Sequence, residues 1–169
     1  MKSIKTTELK LNSTKESDIL EAITLIADNA LVSYLPSLAE KYSKFLGTEI
    51  AEKIETLFND LRHKEAIPVI LPLISNNSLD QKTKLMLISS CWQSGMDYSE
   101  QLMDFVPLLK NPEFIFAFEA FTVIESNIDF LDLKNKLILK DLINKVKKDV
   151  PEDISMLCED LIEMLDEQG

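Results

Sequence analysis

Three short apolar segments with a proline at the centre recur along the chain: Tyr34-Leu35-Pro36-Ser37-Leu38, Ile70-Leu71-Pro72-Leu73-Ile74 and Phe105-Val106-Pro107-Leu108-Leu109. Their prolines stand 36 and 35 residues apart, and a degenerate fourth copy, Leu139-Lys140-Asp141-Leu142-Ile143, puts Asp141 a further 34 residues on. A fixed period in this range belongs to stacked helical hairpins, each of which covers one apolar face itself and needs a neighbour for the other. Proline inside a helix removes a backbone hydrogen bond and bends the axis, so one tolerated kink per outer helix is expected. Glycine argues the same way. Gly47, Gly95 and Gly169 are the only three in 169 residues, too few for the positive-φ turns of an all-β chain.

Between the prolines a second helix is expected each time. Ser78-Leu79-Asp80-Gln81 has capping-box spacing, Asn111-Pro112-Glu113 sets a cap before a first-turn proline, and Pro151-Glu152-Asp153-Ile154 repeats the pattern of Pro112 to Ile115. Asp97 and Asp132 read as starts of the first helices of later pairs. The pattern predicts helices near 15–28, 31–46, 48–61, 64–75, 79–94, 98–110, 112–127, 132–148 and 152–166. Residues 1 to about 13 read as a mobile extension and 14–169 as a single domain, since the connections are short and no Gly/Ser linker occurs. Phe114, Phe118, Phe121 and Ile124 stand at helical spacing, with Ile115, Phe116, Ala120 and Val123 widening the stripe, so this helix is expected to be covered on two sides. The phenylalanines and Trp92 read as core.

These features resemble the HEAT-repeat family, within the armadillo-like α-solenoids. The best-matching copy runs from Ile70-Leu71-Pro72-Leu73-Ile74 through Asp80 and Lys84 to Leu85, Ile88, Cys91 and Gly95. The next copy keeps Val106-Pro107-Leu108-Leu109 and Asn111-Pro112, but replaces the aspartate and the basic residue with Phe114-Ile115-Phe116-Ala117-Phe118. The resemblance spans about residues 30 to 166. It implies an all-α, right-handed superhelix of about four helix pairs plus an N-terminal helix, acting as a scaffold or adaptor that holds another macromolecule.

Composition narrows the partner. Eighteen basic against 29 acidic residues leave a net charge of −11, which repels phosphate backbones and anionic lipid. Arg62 is the only arginine, so bidentate forks for phosphate or base edges are almost absent. Nucleic acid is therefore not expected as a partner. Some HEAT-like proteins are DNA glycosylases, but the acidic balance and the missing basic groove count against that alternative. A self-associating structural module is the other alternative, and oligomeric state stays open. Lys145, Lys147 and Lys148 suit a helix carboxyl end, and the acidic last helix suits a solvated terminal cap. The start of the chain does not resemble a secretory signal, and the longest apolar run, Ile67 to Ile74, is far too short for a membrane span. Cys91 and Cys158 read as buried thiols, which fits a reducing, cytoplasmic setting.

Catalytic chemistry finds little footing. His63 is the only histidine; Asp60 lies one turn before it, but no third ligand or metal motif accompanies the pair, and it reads as a helix-end surface residue. No phosphate loop, nucleophile elbow or EF-hand pattern occurs. No enzyme activity, cofactor or metal is expected. Aligning residues 84–93 with 117–126 pairs Ser89 with Thr122 and Gln93 with Ser126. Glu119, Thr122 and Ser126 then share one helix face, and Met86, Ser89 and Gln93 share the equivalent one, with Lys82 at its end. These seven residues are the candidate surface for binding a protein or peptide.

Overall fold

A computed structural model describes residues 2–167, with side chains from Lys5 onward. Among the described residues the chain is all-helical, with no strand. The helices are α1 (Lys2–Leu11), α2 (Glu16–Asp28), α3 (Leu35–Tyr42), α4 (Glu49–Asn59), α5 (Ile67–Ile74), α6 (Gln81–Gln93), α7 (Leu102–Phe105), α8 (Phe114–Glu125), α9 (Leu133–Lys147) and α10 (Glu152–Glu167). Short 3-10 turns lead into α3, α5, α7 and α9. The expected helix positions agree, except that the stretches near 31–46, 64–75 and 98–110 are assembled from α-helical and 3-10 pieces.

The prolines explain those breaks, and they correct the expectation of a uniform kink. Only Pro72 of the three repeat prolines lies inside a helix; Pro36 sits in the first turn of α3, and Pro107 opens the 3-10 segment Val106–Lys110. A first-turn proline sacrifices an N–H that has no helical partner anyway. Two expected caps also move. Asp80, not Ser78, caps α6, its Oδ1 accepting from Thr83 N at 3.0 Å, while Ser78 donates to Asn76. Asn111 accepts from Glu113 N at 2.9 Å in a turn before α8 rather than capping it. Asp132 does cap α9, accepting from Asn135 N at 2.7 Å.

Where the sequence suggests one domain over 14–169, the chain divides between Ser94 and Gly95 into two compact units. In the first, α2 packs on α4 and α4 on α6, while α3 packs on α5. In these three pairs a helix is thus next to the one two places further along. Their contacts bury Ile23, Ile26, Leu38, Ile54, Phe58 and Leu87. The segment expected as an extension carries α1, which packs on α2, buries Thr7 and Leu11 and pairs Lys10 with Glu21.

In the second unit α8 packs on α10 and on the turn Val106–Lys110, and α9 packs on α10. Tyr98 meets Phe105 edge-on, with ring centroids 5.9 Å apart. Asn127 is buried with its amide in use: Oδ1 accepts from Tyr98 N at 2.8 Å, and Nδ2 donates to Val123 O at 2.9 Å. α10 buries Ile154, Cys158, Leu161 and Leu165 along one stripe, and Lys140 and Lys147 of α9 pair with its Asp166 and Glu159. Lys145 and Lys147 occupy the last turn of α9, as the helix dipole favours.

Tyr42, at the end of α3, donates its hydroxyl to Glu55 Oε2 of α4 at 3.0 Å. Burial first, then the Glu55 carboxylate, push its pKa from the ordinary 10.0 up to about 12. Folding therefore favours the neutral phenol. That contribution is intact below pH 10 and is lost as pH rises towards 12. Tyr42→Phe should lose stability relative to the parent at neutral pH and converge with it over that alkaline window, as read by denaturant unfolding across pH.

Candidate functional site

The expected surface begins on α6. Lys82, Leu85, Ser89 and Trp92 are spaced by three and four, and Gln93 completes the same side. Lys82, Trp92 and Gln93 are exposed and Leu85 and Ser89 half-buried, with Gln93 Nε2 donating to Ser89 Oγ at 2.8 Å. Met86 is a correction: it is 6% exposed and belongs to the core. The open stripe is turned about the helix axis towards Leu85 and Trp92, which leaves Met86 on the covered edge. Trp92, expected in the core, is 38% exposed for the same reason.

The corresponding stripe on α8 is rotated the same way. Ser126 is exposed, and Glu119 and Thr122 are half-buried. Phe114, Ile115 and Phe118, expected within the apolar core, are 43%, 44% and 42% exposed. Phe121 remains buried and anchors a ladder, with Phe114 stacked on Phe118 at 6.1 Å and Phe118 on Phe121 at 6.2 Å between centroids. A signal for this rotation was present in the chain. Glu49 and Glu52, 33 residues before Lys82 and Leu85, are exposed on α4 and mark the side that faces water.

A hydroxyl recurs at equivalent positions of these helices. Thr24, Thr56, Ser89 and Thr122 are spaced by 32, 33 and 33 residues on α2, α4, α6 and α8. The three threonines donate to the carbonyl four residues earlier, at 3.1, 2.9 and 3.0 Å. Their protons are committed to the helix, so towards a partner they offer mainly acceptor oxygen.

Thr24 and Thr56 also border a cavity of about 310 Å³ in the first unit that the sequence did not disclose. Its buried walls come from Ile23, Ile26, Leu35 and Leu57, and Lys53, Asp60, Arg62 and His63 line it as well. The only arginine and the only histidine thus lie at one site. Arg62 is held there: Nη1 donates to Leu61 O at 2.8 Å and to Ser94 O, the end of α6, at 2.6 Å. The negative poles of both helix dipoles make those carboxyl ends a favourable place for a guanidinium.

Ala30 forms another part of the wall with φ of 49°, the left-handed region. It closes α2 as a Schellman motif, with Leu31 N bonded to Ile26 O and Ala30 N to Ala27 O. Among the described residues no group of three or more histidine, cysteine or acidic side chains could hold a metal, and no helix is long and apolar enough to cross a membrane. Comparisons with protein-family models, curated proteins and solved structures gave no match.

Two stability measurements check this geometry. Phe121→Ala should cost about 3 to 5 kcal/mol as a buried truncation, whereas Phe118→Ala should cost about 1 to 2 kcal/mol because much of its ring is already wet; equal losses in chemical denaturation would place Phe118 in the core. Ala30→Gly should stabilise the chain by roughly 0.5 to 1 kcal/mol by removing the positive-φ penalty, read as a higher melting temperature.

Proposed function

We propose that the chain is a short HEAT-like solenoid that acts as a non-catalytic, cytoplasmic scaffold, holding a protein or peptide on the faces of its second helices. Support for the solenoid comes from the repeating proline segments and from the α2, α4, α6 series, in which alternate helices are neighbours. The observation that carries the binding reading is the open aromatic ladder of α8, where Phe114, Ile115 and Phe118 stay in water although the helix has a full apolar core face. Aromatic side chains in such positions supply much of the energy of protein interfaces. Glu119, Thr122 and Ser126 border the ladder; Lys82, Ser89 and Gln93 accompany Trp92 at the equivalent places on α6. The net charge of −11 favours a partner segment that joins apolar anchors to basic residues.

Peptides selected from a display library on the full chain test this reading. They should combine aromatic or aliphatic anchors with lysine or arginine, and Phe118→Ser should weaken them by about 2 kcal/mol, roughly 30-fold. Met156→Ser, at a 60% exposed site on α10, should leave affinity unchanged. Binding indifferent to Phe118→Ser would refute the assignment of the α8 ladder.

A further inference from the structure

The cavity beside α2 and α4 has a chemistry of its own, separate from the aromatic ladder of α8. Its accessible lining is largely aliphatic, from Ala27, Leu31, Val32 and Leu57, backed by the buried Ile23, Ile26 and Leu35. Water gains few hydrogen bonds against such walls, and the space suits an apolar group. At about 30 Å³ for each water-sized group, the volume of about 310 Å³ takes on the order of ten non-hydrogen atoms. Charge at the lining selects what those atoms carry. Asp60 Oδ1 stands 3.9 Å from Arg62 Nη2 and offsets one cation, and Lys53 leaves the site with an excess of positive charge in a chain that is strongly acidic. Arg62 is fixed by its bonds to Leu61 O and Ser94 O, so its charge stays at the cavity and needs no ordering when a ligand arrives.

We propose that this cavity binds a small aliphatic carboxylate of about eight carbons, its tail against Ala27, Leu31, Val32 and Leu57 and its carboxylate beside Lys53 and Arg62. The tail supplies affinity through burial, and the charge sets orientation and selects against amines. A longer chain extends past the opening into water and gains nothing. A shorter one leaves part of the apolar wall uncovered.

Isothermal titration of the full chain with butyrate, hexanoate, octanoate and dodecanoate tests the fit. Affinity should rise about fourfold per added methylene up to octanoate and gain nothing further at dodecanoate. Octanol and octylammonium should each bind at least tenfold more weakly than octanoate. Lys53→Gln should weaken octanoate about tenfold without changing the fold seen by circular dichroism, and Ala27→Phe, which fills the cavity from its wall, should abolish binding. Amide shifts on octanoate addition should centre on residues 23–35 and 53–63. No octanoate binding, equal affinity for octanol, or shifts centred on α8 would each overturn the proposal. Peptide binding at the α8 ladder is read by Phe118→Ser, so failure at one surface is distinguishable from failure at the other.

Discussion

An α-helix whose apolar face is wider than one neighbour can cover has to be covered from two directions, and most of the structure follows from that demand. α4 meets it with α2 on one side and α6 on the other, while α3 lies across it. Its buried residues, Ile50, Ala51, Ile54, Leu57 and Phe58, cover both of those directions, leaving Glu49, Glu52 and Thr56 for water. A single hairpin could not satisfy such a helix, which is why the sequence has to repeat. α8 shows the same demand in the second unit, with Phe116, Ala117, Ala120, Val123 and Ile124 buried against α10 and the turn Val106–Lys110. The small residues Ala117 and Ala120 allow close approach where a larger side chain would hold neighbours apart.

Bringing helices side by side also gathers their carboxyl ends, whose last carbonyls lack helical partners. Each unit resolves this with one polar side chain placed just past a helix. Arg62 follows α4 and donates to carbonyls at the ends of α4 and α6. Asn127 follows α8, returns one bond to Val123 O and accepts another from the backbone of Tyr98. At α2 the backbone does the work through a Schellman turn, and the cost appears at Ala30, where an alanine occupies a conformation better suited to glycine. The strain and the arginine both lie on the wall of the cavity, so the same helix ends that need capping also shape its opening.

The helices were legible in the chain because apolar periodicity and turn chemistry largely agree: Asp132 starts α9 as expected, α6 starts at Asp80 two residues past the expected Ser78, and the two glycines with positive φ, Gly47 and Gly95, stand between helices. Rotation of each helix was less legible. A helix such as α8, apolar nearly all round, gives no contrast between a wall that faces a neighbour and one that faces water, so Phe118 read as core and is open. On α4 the charged residues supply that contrast. The cavity could not be read at all, because Ile23 and Leu57 are ordinary core residues until the turn after α2 and the end of α4 leave a space between them.

Exposed aromatic rings are costly in a chain that must stay dispersed, since they promote association as readily as recognition. The acidic surface changes that balance. With a net charge of −11, two copies approaching through their phenylalanines repel each other, while a basic segment is drawn to the same place. Salt should weaken the second effect and the first alike, because both are long-range and screened. The aromatic ladder then provides short-range affinity and the surrounding charge decides what reaches it. The cavity lining inverts that arrangement on a smaller scale: its local cations sit within an acidic chain, so they attract an anion only at close range. A ligand held there must therefore owe most of its affinity to the apolar tail, with the carboxylate fixing its direction.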